Sequence, residues 1–487
     1  MNKYTFLSMA ALLIVSGLKA QTNSYSLADI VQLARSQSTA WLSAETRKEN
    51  EYWQYKTFRS DYNPQLLLSG TLPAYNKSVT PVTQPDGNVI FRDLNNNTLQ
   101  LNLGLSQVIG PTGGTVSVYT DMSRYDDFIQ DYVQYSGQPV SVSLNQPIFQ
   151  FNPFKWNRII KPLVYEESQK RYFEELEMVS INATRRYFDL LLAQINLEIA
   201  SKNVESNDTI YQIAKGRYNL GKITENDLLQ LELNLVNSNL DISKALVEQQ
   251  SATLNLKTFI GLSDNESILL ILPENIPEFS VDENIALAEA QKNKVDMVSF
   301  KRRQLEAKQE VTRARRASGV NMNLQAAYGL TNQGQSVSDV YQNPADALRI
   351  GLQMSVPLVD WGRQKARIMT AEANMKLVEY QLIQDEVTFE QDILTEVRNF
   401  NMLRVQLKAR IKSDDIADRA YNISKQLFLI GKISITDLNQ ALAAKDRAKQ
   451  NYVATLRDFW IGYYQLREKT LYDFHNNQLL VRDIQTD

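Results

Sequence analysis

The chain has no cysteine among its 487 residues and a single histidine, His475. These absences exclude a disulfide framework and leave zinc sites and Cys-His or Ser-His-Asp catalysis almost without raw material, so stability has to come from packing. Positive charge is also short. With 52 basic against 55 acidic residues the formal charge is −3, which argues against nucleic acid as a partner. After the first twenty residues no apolar run reaches 18, and mean hydropathy is −0.34, so a membrane passage would have to use strands rather than helices. The adjacent carboxylates Asp414-Asp415 and Asp126-Asp127 fall in a helical pattern and a polar loop, where solvated charge is the expectation rather than a glycosidase pair. The chain is not expected to be an enzyme.

Glycine and proline are missing where their absence matters most. From Arg363 to Ile430 there is neither, which permits one helix of about 100 Å at 1.5 Å per residue. Its apolar positions Ile393, Val397, Phe400, Leu403, Leu407, Ile411, Ile416, Ala420, Ile423, Leu427 and Ile430 step mainly by three and four, predicting a coiled-coil seam. Leu163 to Ala214 repeats the design, with Pro162 read as lying near the helix start, where proline is accepted. Shorter helical patterns open the two halves around Leu27 to Phe58 and Val281 to Arg316.

What is present is a duplication. Leu220-Gly221-Lys222-Ile223-Thr224-Glu225-Asn226-Asp227-Leu228 returns as Ile430-Gly431-Lys432-Ile433-Ser434-Ile435-Thr436-Asp437-Leu438, a shift of 210 (431 − 221) that also superposes Pro147 on Pro357. Gly221 and Gly431 stand where a helix ends in a left-handed residue. Thr224 or Ser434 follows as N-cap, with Asp227 or Asp437 three positions on, so each long helix is predicted to turn into an antiparallel partner. Residues 1–20, with Lys3 before the run Leu7 to Val15, read as a secretory signal peptide, and no cysteine follows for lipid attachment. Its removal would leave 50 basic against 55 acidic residues, a charge of −5. The expected organisation is a first repeat over 21–262 with strands about 64–149, a linker or equatorial segment over 263–279, a second repeat over 280–474 with strands about 319–358, and a tail over 475–487.

Between opening and long helices the apolar period falls to two. Met322, Leu324, Ala326, Tyr328, Leu330 and Leu348, Ile350, Leu352, Met354, Val356 alternate with mostly polar or small residues, as do Leu99, Leu101, Leu103, Leu105 and Val140, Val142, Leu144. Runs of about ten residues are the length of a tilted transmembrane strand. Such strands must close into a barrel of about eight or more. One chain offers four to six, so it is expected to oligomerise. The first half is also longer, 83 residues from Pro64 to Pro147 against 39 from Ser318 to Pro357. The excess of 44 contains Gly110-Pro111-Thr112-Gly113-Gly114, read as the turn of an additional hairpin.

The signal segment, the duplicated halves and the tip motifs resemble the TolC family of outer-membrane export ducts. So do the strand ends Asn145-Gln146-Pro147-Ile148 and Ser355-Val356-Pro357-Leu358, and the run Leu466-Arg467-Glu468-Lys469-Thr470-Leu471-Tyr472-Asp473-Phe474. The resemblance implies an α+β membrane protein in the outer membrane. Its trimeric β-barrel would be shared between protomers, four strands each, and continued by a long antiparallel α-helical barrel in the periplasm. It further implies passive export for a tripartite efflux or type I-like secretion system, with outer-membrane lipid, a periplasmic adaptor and an inner-membrane pump as partners and no cofactor. Asp437 and Asp227 match the acidic gate positions, while Gln440 stands where a second acid is expected. Phe428 and Ile433 replace the Tyr and Arg of the family's latch, so a polar latch of that type is not expected. Gly221, Lys222, Gly431 and Lys432 form the tip turns, with the lysines as candidate adaptor contacts. Phe149, Phe151, Phe154, Trp156 and Trp361 are candidate anchors at the membrane interface. Asp227 and Asp437 read first as helix caps, a role that one carboxylate can combine with facing the pore. The alternative function is a periplasmic coiled-coil adaptor or structural protein without a pore.

Overall fold

The computed structural model describes residues 23–262 and 268–481; the expected signal segment, residues 263–267 of the expected linker and residues 482–487 of the expected tail lie outside them. The first half runs β1 (Asn23–Tyr25), α1 (Leu27–Gln37), α2 (Thr39–Ser60), β2 (Gln65–Thr83), β3 (Val89–Ile109), β4 (Gly114–Asp127), β5 (Tyr132–Ile148), α3 (Pro153–Asn219) and α4 (Glu225–Ile260). The second runs β6 (Ile268–Leu270), α5 (Glu283–Asn293), α6 (Val295–Ala317), β7 (Asn321–Gly334), a one-turn α7 (Val337–Tyr341), β8 (Ala345–Ser355), α8 (Arg363–Leu429) and α9 (Ile435–Thr470). Helices α3 and α8 each have 67 residues and α4 and α9 each 36. Their starts keep the shift of 210 (363 − 153 and 435 − 225). The α+β, internally duplicated fold is as expected.

Two local expectations are corrected. Pro162 is the tenth residue of α3, inside the helix, and the proline at the first helical position is Pro153. There the absent N–H costs nothing, and Asn152 Oδ1 accepts from Lys155 N at 3.2 Å to cap the turn. The opening helical patterns are each two helices, broken at Ser38 and Lys294 with nearly the same extended backbone (ψ 147° and 148°). Both halves therefore bend alike.

The chain forms two compact units, and each draws on both halves. One takes the chain up to Arg47, Arg171–Lys294 and Glu390 onward; the other takes Lys48–Lys170 and Val295–Phe389. The second unit holds a six-stranded sheet in the order β2-β3-β4-β5-β7-β8, every neighbour antiparallel. Register places Leu66, Leu105, Val118, Val142, Tyr328 and Leu348 in one row across all six strands. All six are exposed, between 41% and 68%. The next row, on the opposite face by the two-residue period, is Gln65, Ser106, Ser117, Ser143, Ala327 and Arg349. One face is thus apolar and uncovered, the other largely polar.

The pairing also corrects the reading of the insertion. Under the shift of 210, β4 and β5 are the counterparts of β7 and β8, so the extra hairpin is β2–β3, turning at 84–88. The Leu99 to Leu105 alternation belongs to that inserted hairpin, and the Gly110 to Gly114 turn joins it to β4. Asp126, expected in a polar loop, is a buried strand residue paired with Arg124 at 2.7 Å.

In the first unit, Tyr187, Phe188 and Leu190 of α3, Ile393, Phe400 and Leu407 of α8, and Leu456, Phe459 and Leu466 of α9 are almost wholly buried. The α8 seam does not continue as one stripe. Beyond Leu407 the buried position is Tyr421, while Ile416, Ile423 and Ile430 are exposed. The reason is that α8 carries two apolar faces there, and one chain covers only one. The 263–279 segment contributes β6, which pairs in parallel with β1. Buried charge is paired: Lys294 Nζ lies 2.7 Å from both Glu174 Oε1 and Glu468 Oε1, and Arg467 joins Glu177 and Asp473 at 3.0 Å each. Burial disfavours the Lys294 cation, but the two carboxylates together hold its pKa above the usual lysine value. Lys294→Ala would leave two carboxylates facing an empty site and is expected to cost about 3–5 kcal/mol, read as a lowered thermal midpoint by circular dichroism at 222 nm.

Candidate functional site at the helical tips

Each long helix ends in the same way. Gly221 N donates to Tyr218 O at 2.8 Å and Lys222 N to Arg217 O at 3.0 Å; Gly431 N donates to Phe428 O and Lys432 N to Leu427 O, both at 2.9 Å. This is the Schellman arrangement, which needs a left-handed residue after the helix. Gly221 and Gly431 supply it with φ of +66° and +77°, and a Cβ at either would meet nothing within 4 Å. The demand is on the backbone rather than on space.

The return helices start from paired capping boxes. Asp227 Oδ2 accepts from Thr224 N at 3.1 Å and from Thr224 Oγ1 at 2.8 Å, while Asp227 N donates back to Thr224 Oγ1 at 3.2 Å. Asp437 repeats this with Ser434 at 3.1, 2.7 and 3.2 Å. Hydrogen bonds from Ser434, side chain first and then backbone, hold the Asp437 carboxyl below the usual carboxylate range. Only Oδ2 is used in these caps, and Asp437 is solvent-exposed, as is Gln440 one turn on, whereas Asp227 is half-buried.

The two hairpins meet at their tips. Ile210 and Ala214 of α3, Leu231 of α4, Tyr421 of α8, and Ile435 and Leu438 of α9 form one buried cluster, with Phe428 packed against it. Arg217, in the last turn of α3, donates from Nη1 to Phe428 O at 3.4 Å and from Nη2 to Leu429 O. Its guanidinium lies 6.0 Å from the Phe428 ring. Those carbonyls lie at the negative end of α8; Phe428 O already accepts from Gly431 N, and the cation adds a second bond there, takes up Leu429 O and ties hairpin to hairpin. A latch through polar side chains at 428 and 433 was not expected; the polar tie that exists comes from the other half. Sequence reading missed Arg217 because its partners are main-chain carbonyls, which leave no residue-type signal. Further polar bridges join the hairpins: Asn203 to Asp446 at 2.9 Å, Ser206 to Tyr421 at 3.2 Å and Asn234 to Asn439 at 3.2 Å. Burial pushes the Asp446 carboxyl up, against the Asn203 bond.

The aromatic candidates belong to the other unit. Phe149 (φ +61°) follows β5, and Trp361 (φ +57°), 96% exposed, precedes α8. Asp360 fixes the second junction by accepting from Gly362 N at 3.0 Å and Gln364 N at 2.8 Å. Phe154 instead packs edge-on against Tyr62 at 5.9 Å, Phe151 lies under Arg313 at 4.8 Å, and Trp156 is half-buried. Phe149 and Trp361 are therefore the two left free for an interface.

Two outcomes follow for the tips. Ser434→Ala removes the cap oxygen and is expected to cost about 1 kcal/mol, seen as increased amide exchange confined to the start of α9. A carboxyl with a lowered folded pKa contributes stability above its unfolded pKa, near 4, and loses it as pH falls through the folded value. The destabilisation caused by Asp437→Ala should therefore be present at neutral pH and shrink as acid protonates the wild-type carboxyl. Paired melting curves of the two proteins test this, and a pH-independent difference would count against the charged cap.

Comparisons with known proteins agree with this architecture. Residues 112–262 and 286–468 match the outer membrane efflux protein family. The chain is 23% identical over 310 residues to the alkaline protease secretion protein AprF of Pseudomonas aeruginosa, a match spanning 62% of this chain and 62% of that relative. Among solved structures it resembles the CmeC outer membrane channel of Campylobacter jejuni, with a TM-score of 0.66, 17% identity and coverage of 91% of this chain and 85% of that one. The outer membrane protein VceC of Vibrio cholerae gives a TM-score of 0.61 at 14% identity, covering 91% of this chain and 95% of that one. The protein belongs to the outer membrane efflux protein family, the TolC-type channels of the outer membrane whose helical part lies in the periplasm.

Proposed function

We propose that three copies of this chain form a passive outer-membrane conduit, entered at the helical tips and served by a periplasmic adaptor and an inner-membrane pump. The observation that carries this reading is the sheet: apolar and uncovered on one face, largely polar on the other, and unpaired at both edges. Lipid tolerates such strands only when a closed barrel pairs every backbone group. The helices support the same assembly. Leu229, Leu233, Val236, Leu240, Val247 and Leu254 line one exposed face of α4, and Ile416 and Ile423 one of α8, both at heptad spacing that suits a neighbouring helix. Each sequence repeat supplies one hairpin, and equal hairpin lengths let all tips of a trimer reach one level.

At that level the exposed Asp437, with Asp227, Gln440 and Phe428 near it, forms the gate, and the exposed Lys222 and Lys432 meet the adaptor. Arg217 holds the gate closed by tying α3 to the end of α8. The similarity to AprF favours a secreted polypeptide as cargo, and the match to the efflux protein family an efflux substrate; genes for a pump and adaptor beside this one would decide between them. Nothing in a coiled-coil adaptor explains the lipid-ready sheet.

Fractionation should return the protein in outer membranes as a trimer, and a monomer confined to soluble periplasm would sink the proposal. In planar bilayers, Asp437→Ala should weaken block by multivalent cations. If block is unchanged and only stability falls, the residue caps its helix and does not gate. Arg217→Ala should raise the fraction of time spent open, with fold retained by circular dichroism.

A further inference from the structure

The inserted hairpin changes what closes in the membrane. Strand β4 would be the edge of a four-stranded contribution made of β4, β5, β7 and β8, but it is not free: β3 pairs with it along its whole length, from Asn96 opposite Asp127 to Ile109 opposite Gly114. The free edges are β2 and β8. We propose that β2 and β3 are part of the barrel wall, so that each copy contributes six strands and three copies close an eighteen-stranded barrel, β2 of one copy pairing with β8 of the next. This rests on the trimeric conduit proposed above.

Four features of the sheet support that seam. The exposed apolar row crosses β2 and β3 as well as the duplicated strands, through Leu66 and Leu105, so the inserted hairpin has the same lipid-facing side. Strand β2 begins at the helical side, just after α2, and β8 ends there, just before α8. They run in opposite directions, and an even number of strands closes with every pair antiparallel. From Gln65 to Leu72 the β2 edge is free of proline, a stretch comparable with the eleven residues of β8. Beyond it, Pro73, Lys77 and Pro81 interrupt or blunt the edge, as edges not meant to pair are blunted. Residues 77–83 of β2 and 89–95 of β3 pair only with each other, forming a two-stranded ribbon beyond the wall. Barrel diameter grows roughly linearly with strand number, so eighteen strands give about 1.5 times the width of twelve.

The absence of native cysteine makes the seam testable in the full-length protein. Leu68→Cys, facing the apolar side, is combined in turn with Leu348→Cys, Ile350→Cys and Leu352→Cys; in parallel, Val118→Cys on β4 is combined with the same three. After mild oxidation in outer membranes, at least one Leu68→Cys pair should give disulfide-linked dimers and trimers on a non-reducing gel, and no Val118→Cys pair should. Links through Val118→Cys but not Leu68→Cys would overturn the six-strand contribution and leave the trimer intact, whereas a monomer by mass photometry would sink both. If neither set links, strands counted by electron cryo-microscopy of the extracted wild-type trimer decide: eighteen supports the proposal and twelve overturns it.

Discussion

Backbone hydrogen bonding is the constraint on which the rest depends. A strand in hydrocarbon has no water to satisfy its N–H and C=O groups, so every edge must find another strand. Among the described residues, the sheet has two unpaired edges and an apolar face that nothing covers. Leu66, Leu348 and Ile350 would be liabilities on a soluble sheet. They are ordinary on a wall that faces lipid, and the polar residues opposite them, from Ser106 to Arg349, are ordinary where the other side faces water.

The helical hairpins solve a related problem with side chains instead of backbone. Each helix satisfies its own main chain, so contacts between helices need only matched stripes of side chains, and α4 and α8 carry more stripe than one copy can bury. The tips add polar ties where helices end and carbonyls are left over. Arg217 uses those carbonyls, and the two capping boxes use the free N–H groups at the starts of α4 and α9. Main-chain polarity therefore decides both the sheet edges and the tips.

Buried charge plays a narrower part. Lys294 between Glu174 and Glu468, and Arg467 between Glu177 and Asp473, tie α3 to α9 and to the start and end of neighbouring segments in the unit that also holds the tips. Such clusters contribute little net stability over apolar packing but are costly to break. Here they link chain segments far apart in sequence, Glu174 with Lys294 and Glu468.

The sequence by itself determined the duplication, the long helices, the tip turns and caps, and the membrane-length strands. These are local properties: a run without glycine or proline, a two-residue alternation, a glycine followed by Thr or Ser and then Asp three residues on. They are carried by residue type and spacing within one element. Tertiary structure alone decided which strands are paired, that β2–β3 is the inserted hairpin, that the α8 seam divides beyond Leu407, and that Arg217 binds the end of α8. Pairing partners and main-chain acceptors lie far away in the chain and leave no periodic mark. Strand count per copy followed from register, and register from contacts that no single segment encodes.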